Sequence, residues 1–407
     1  MKRISVDSIP KISELCYDYA SSQVYSKCAL TLLKSEVDPL PGYKPSYHGE
    51  IESENERSFT VVLKEAKTYE DGKEVNTSHY LERLEYLQQK NPLINATILN
   101  GISIESDSSK IVFSSKGALA PLKTLMSTIL FTPKPKHSPF ISAGEYTLKN
   151  TGENIWCAEN RQERDDKVQF ITIKDTGDNY RLCESGYLDQ SADTATINKN
   201  CIIKGYSSNS RMPSLHAYLV FEGKLAKANP EMRFFVCSII SECMHMIKSA
   251  SKWVTTIEEL NFNSTLPMRS KYKNYFKQNP LVLTYNDFYP NVTVVNLISM
   301  ALSTYEINHK LIHDDYYRPS FTADVRLSII KGLIPGVWGQ FASLIFTPVL
   351  RSERDVLQRN INILRKEENI ENLKSEISLN SLYLCPFLYL GELTSFFYRR
   401  EKIEIAC

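Results

Sequence analysis

The segment Ser58–Tyr86, SFTVVLKEAKTYEDGKEVNTSHYLERLEY, changes hydrophobic period in mid-course, and no other stretch constrains the fold as tightly. Phe59, Val61 and Leu63 stand on alternate positions, the two-residue period of a strand with one buried face. Asp71-Gly72 then supplies a turn, because glycine reaches backbone angles that other residues avoid. Thr77 or Ser78 caps a helix in which Leu81, Leu84 and Leu87 share one side. A strand feeding a turn and a helix is the unit of an α/β architecture.

The same grammar recurs along the chain. Lys110–Phe113 reads as a strand and Ala118–Leu130 as the helix after it. Leu281–Tyr285 (LVLTY), the apolar run Val294–Ile307 and Asn308–His313 form a strand–helix–strand unit, followed by a strand at Asp324–Ile330. Residues 12–34 carry helical spacing through Leu15, Tyr19, Val24 and Leu30. Further strands are expected at Gln169–Lys174, Tyr180–Cys183 and Ala217–Glu222, and helices at Met232–Lys248 and Ser352–Lys374. Loops rich in Pro and Gly at 38–50 and 131–140 divide the text.

A chain of 407 residues is long for one core and implies two or three lobes. Lys plus Arg number 48 against 47 Asp plus Glu, a balance that argues against a nucleic-acid groove or a polybasic membrane surface. No run reaches the roughly 18 apolar residues of a membrane span. After the basic start, Asp7, Lys11 and Glu14 interrupt any apolar signal core, so the expectation is a cytoplasmic protein. The nine cysteines form no CxxC pair, which suits buried thiols in a reducing compartment.

Catalytic signatures are missing: GxSxG, Walker A and HExxH do not occur, and GVWG at 336–339 is no dinucleotide fingerprint. Cys237 and Cys243, with His245, fall outside zinc-ligand spacing, and no metal or other cofactor is expected. His313-Asp314-Asp315 and the run RQERDDK at 161–167 read as solvated surface loops.

The strand, Asp-Gly turn and capped helix of Ser58–Tyr86 resemble the signature of the peptide/nickel class of extracellular solute-binding proteins, solute-binding protein family 5. Weaker matches follow in the family's order. They are Ala143-Gly144-Glu145-Tyr146, Cys183-Glu184-Ser185-Gly186-Tyr187-Leu188-Asp189, the LVLTY unit, the strand Asp324–Ile330, and Leu382–Leu390. The resemblance implies a type II periplasmic-binding-protein-like α/β fold, with two mixed-sheet lobes and a small subdomain inserted in the first. Residues 1–37 would begin lobe 1, 38–139 form the insert and 140–216 continue lobe 1. Lobe 2 would be 217–374, with 375–407 returning to lobe 1.

The resemblance also implies a ligand cleft between the lobes and hinge closure upon it. By family position Lys331, Trp338, Tyr206, Arg211 and Tyr218 are the candidate ligand-binding residues. Relatives often carry an acid there that pairs with a peptide's amino group, yet no Asp or Glu lies between Asp324 and Glu353. Lys331 would instead favour an anionic or carbonyl ligand, although a lysine at a strand end also snorkels to solvent.

Three functions remain open from sequence. The first is capture of a small polar or peptide-like ligand, as a sensor or beside a regulator. The second is an enzyme of specialised metabolism on a repurposed cleft, and the third is the binding component of an ABC transporter working with a permease. Direct nucleic-acid binding and membrane insertion are not expected, and an enzyme is the less favoured reading.

Overall fold

The computed structural model describes residues 1–10, 19–35, 44–90, 98–99, 101–115, 119–133, 142–192, 202–221, 223–226, 231–233, 235–240, 254–256, 266–286, 291–314, 323–331 and 387–401. Three larger sheets organise them, with helices packed on their faces, as an α/β reading requires.

Strand Ser58–Leu63 lies in a four-stranded antiparallel sheet between Gly49–Glu54 and Lys110–Ser115, with Ile102–Ser106 at the far edge. Its expected inward residues Phe59 and Val61 are buried. Phe59 stands opposite Phe113 in register, and their rings stack at 5.0 Å between centroids. Burying each contributes about 1.5–3 kcal/mol. The Asp71-Gly72 turn closes the short hairpin of Lys67–Thr68 and Glu74–Val75, with Gly72 at φ 86°. Helix Thr77–Lys90 follows and buries Leu84 and Leu87. Its start differs from the expected cap. Thr77 donates its hydroxyl to the Asp107 carbonyl (2.6 Å), and His79 Nδ1 takes the Asn76 N–H (3.2 Å).

A second four-stranded sheet has the order Lys2–Val6, Lys167–Thr172, Ile155–Asn160, Tyr146–Gly152, with the first pair parallel. Two expectations fail beside it. Residues 12–34 are not one helix: Tyr19–Ser26 is helical, and Leu30–Thr31 is a strand paired with Ser46–Tyr47. Tyr180–Cys183 belongs to helix Thr176–Glu184 rather than a strand. The Asp175 carboxylate accepts the Asp178 N–H at the helix start (2.9 Å). Gly186, at φ 72°, ends it by donating to the Cys183 carbonyl, and these stop signals outweigh a four-residue apolar pattern. The run 161–167 is also more than a solvated turn. The Arg161 guanidinium donates to the carbonyls of Thr68, Tyr69 and Gly144, tying the hairpin to this sheet.

The third sheet has six strands in the order Val254–Thr256, Phe387–Arg400, Tyr206–Phe221, Val325–Lys331, Leu281–Tyr285, His309–His313. The last three run parallel, with helix Asn291–Thr304 over them. Val294, Val295 and Ile298 of that helix share a core with Leu283, Val325 and Leu327. Asp324 sets the register: its N–H donates to the Val282 carbonyl (2.9 Å) and its carboxylate takes the Val282 N–H (3.0 Å). The expected helix at Ser352–Lys374 lies outside the described residues. No described helix is long and apolar enough to cross a membrane.

Candidate functional site

Two long strands carry the chain between the sheets. Tyr206–Phe221 and Phe387–Arg400 pair antiparallel from Tyr206 opposite Arg400 to Val220 opposite Phe387. At one end Gln190 bridges them to the four-stranded sheet, lying between Ile4 and Arg399. At the other end Tyr206–Phe221 joins the parallel strands by pairing with Val325–Lys331. Their ladder breaks in the middle: pairing jumps from Arg211–Ser395 to Leu215–Leu393. Pro213 lies inside that irregular stretch and has no N–H to give to a ladder, so a central strand can hold it only at a bulge.

Lys331 is the last residue of its strand and stands opposite Leu215, at the edge of this bulge. Arg211 is the last regularly paired residue before the bulge. Two of the five sequence candidates therefore flank the bulge of the crossing strands, Arg211 opposite Ser395 and Lys331 opposite Leu215. Tyr206 lies at their far end instead. Its hydroxyl donates to the Leu188 carbonyl and accepts from Arg400 Nε (3.2 Å), while Arg400 also pairs with Asp189 (2.9 Å). Burial pushes the Tyr206 phenol above its ordinary pKa, and the Arg400 bond opposes that shift. Tyr218 is fully buried with Val220 in the core that holds Phe59, Tyr80 and Phe131. Trp338 lies outside the described residues.

The parallel strands run so that their carboxyl ends face the bulge. In open α/β sheets ligands bind outside that edge. The Asp314 N–H donates to the Tyr285 carbonyl there (2.8 Å), and Asp314 pairs with Arg326 at 2.5 Å. Both side chains are nearly buried, at 7% and 5% exposure, so Asp314 is not the solvated loop acid expected from sequence. Arg326 is the register partner of Thr284, a fully buried residue whose hydroxyl has no hydrogen-bond partner.

Asn291 opens the helix that follows the strand Leu281–Tyr285. It is fully buried, and neither its amide oxygen nor its amide nitrogen has a hydrogen-bond partner. The N–H groups of a helix's first turn also lack carbonyls within the helix, and they carry partial positive charge. Thr284 and Asn291 are thus buried polar residues on either side, in sequence, of the strand end at Tyr285. Sequence reasoning passed over Asn291, Thr284 and Arg326, whose burial follows from packing rather than from a local pattern. Among the described residues no group of three His, Cys, Asp or Glu could hold a metal ion.

This arrangement can be set against known structures. A Staphylococcus aureus protein, NikA, solved in complex with Ni(L-His)2, superposes with TM-score 0.70 at 15% identity, covering 98% of this chain and 95% of that one. The Escherichia coli murein tripeptide binding protein MppA gives TM-score 0.75 at 14% identity over 98% and 94%. DppA from Helicobacter pylori, an ABC transporter-associated periplasmic binding protein in complex with peptide STSA, gives 0.73 at 13% over 98% and 94%. The chain has the solute-binding-protein fold. No family model matches the sequence, and no curated protein matches it. The solute-binding fold survives here at identities where single motifs fade.

Proposed function

We propose that this protein captures a small polar or peptide-like solute between its lobes, with closure about the paired strands Tyr206–Phe221 and Phe387–Arg400. The observation that carries the reading is the solute-binding-protein fold with its bulged pair of crossing strands, at whose break Lys331 ends its own strand opposite Leu215. The lobe boundaries follow the sequence division at 37, 139, 216 and 374.

Lys331 and Trp338 are ligand contacts in this reading, and Arg211 stands on the other side of the bulge from Lys331. Residence in the cytoplasm is part of the proposal, and the free, buried Cys28, Cys157, Cys183 and Cys237 support it. In a transport setting the partner would be an ABC permease.

Native mass spectrometry of the intact chain, purified from its own cells without chelator or detergent, tests the reading. A bound species of small mass is expected, and Lys331→Met or Trp338→Ala should reduce its occupancy. A chain that carries nothing, and that retains nothing after incubation with the small-molecule fraction of the same cells, would contradict it.

A further inference from the structure

The two crossing strands are held unequally along their length. From Tyr206 opposite Arg400 to Arg211 opposite Ser395 their ladder is unbroken. Beyond it, residues 212–214 of one strand stand against Thr394 alone on the other, and Pro213 among them has no N–H. From Leu215 onward the first strand is supported on both sides, by Leu393 and by Lys331.

The far end is clamped by side chains as well as by the ladder. The Arg400 guanidinium pairs with the Asp189 carboxylate (2.9 Å) and donates to the Gly186 carbonyl and to the Tyr206 hydroxyl (3.0 Å). The second Asp189 oxygen takes the Arg3 N–H (2.8 Å), so one ion pair ties the first strand of the chain to the last described one. Beside it, Ser191 donates its N–H to the Tyr398 carbonyl (2.9 Å) and its hydroxyl oxygen accepts the Tyr398 N–H (2.9 Å). Tyr398 is buried with Cys183, Leu188 and Ile203, and Tyr206 packs against the same cluster. Arg400 and Asp189 are part-exposed, at 39% and 29%, where an isolated ion pair contributes little. The shared acceptors give this one its hold, because a planar guanidinium reaches several of them at fixed angles.

We propose that the Arg400–Asp189–Tyr206 cluster is an anchor and the Pro213 bulge a pivot, so that the crossing strands bend at the bulge and stay zipped from Tyr206 to Arg211. This is a property of the chain itself and holds whether or not a solute is captured.

Hydrogen exchange of the full chain, read by mass spectrometry of overlapping fragments, tests it. In the parent, the paired amides of 206–211 and 395–400 should exchange at least tenfold more slowly than those of the bulge. Arg400→Met should speed exchange across 206–211 and 395–400 at least tenfold and leave 217–221 and 325–330 unchanged, since those segments lie beyond the pivot. Arg400→Lys should not restore protection, because one ammonium cannot span the same acceptors. If Arg400→Met does not fold, Asp189→Asn, which keeps an acceptor for the Arg3 N–H, should give the same local pattern at threefold or more. The inference is overturned if the anchored segments exchange as fast as the bulge, if these variants leave them unchanged, or if exchange rises evenly from 206 to 221. Solute capture stands or falls separately, on the mass-spectrometric search for a bound species.

Discussion

Tyr218 and Leu219 are adjacent in the chain yet buried in different cores. Tyr218 packs with Phe59, Tyr80 and Phe131 of the 30–143 region, and Leu219 packs with Leu283, Val294 and Leu327. Side chains alternate across a strand, so one crossing strand contacts both bodies it connects. Tyr218→Ala and Leu219→Ala should therefore fail differently. Leu219→Ala should cost about 2–5 kcal/mol of unfolding free energy, as buried Leu truncations do. Tyr218→Ala should in addition change the scattering profile of the native protein, by loosening contact between the bodies. Denaturant titration with solution scattering separates the two, and identical behaviour would remove the distinction.

The Asp314–Arg326 pair gives a second prediction. Truncating one partner of a buried ion pair strands the other charge and costs about 3–5 kcal/mol. Asp314→Ala and Arg326→Ala should each lose that much, whereas the double variant Asp314→Leu with Arg326→Met should recover most of it. A double-mutant cycle in urea checks the coupling, and additive losses would show that the pair is not coupled.

Gly144 offers a local steric test. A Cβ built there would lie 2.7 Å from the backbone oxygens of Cys28 and Ala29, and backbone cannot rotate away as a side chain does. Gly144 also donates its N–H to the Cys28 carbonyl at 3.0 Å. Gly144→Ala should destabilise by roughly 1–3 kcal/mol, the usual cost of overpacking. Thermal melting reads this directly, and an unchanged melting temperature would contradict the close approach.

His48 predicts a pH dependence. Burial lowers its pKa from the ordinary 6.5, while its ring contacts Tyr80 Oη (3.2 Å) and the Glu65 carbonyl (2.8 Å). The folded state then favours neutral imidazole, and below pH 6.5 the unfolded chain binds the extra proton first. This contribution is complete above pH 6.5 and is lost as pH falls through the lowered folded value. His48→Gln should flatten that part of the stability profile, measured by urea unfolding at a series of pH values. An unchanged slope would assign the acid sensitivity to other groups.

Much of the fold was legible because period and punctuation are local. Phe59, Val61, the Asp71-Gly72 turn and the helix carrying Leu84 each announce themselves within a few residues. The ends of elements were less legible, as at Tyr180–Cys183, where a cap at Asp175 upstream and a glycine at 186 downstream decide for helix. Pairing across the sheet was not legible at all. Asp314 and Arg326 meet because parallel strands bring them together, and Arg161 reaches the 67–75 hairpin across a long stretch of intervening chain. The site shows the same division. Lys331 was named from family position and remains a proposal, whereas Asn291 is distinctive through burial without a partner, a property that exists only once the helix is packed.

The central claim is that the two bodies close on a solute about the paired long strands. Small-angle X-ray scattering of the intact chain, before and after addition of the small-molecule fraction from its own cells, tests this most directly. The account predicts a smaller radius of gyration with solute, and no such contraction in Lys331→Met. A profile that stays the same with every fraction tried, from a chain that remains folded by circular dichroism, would contradict it.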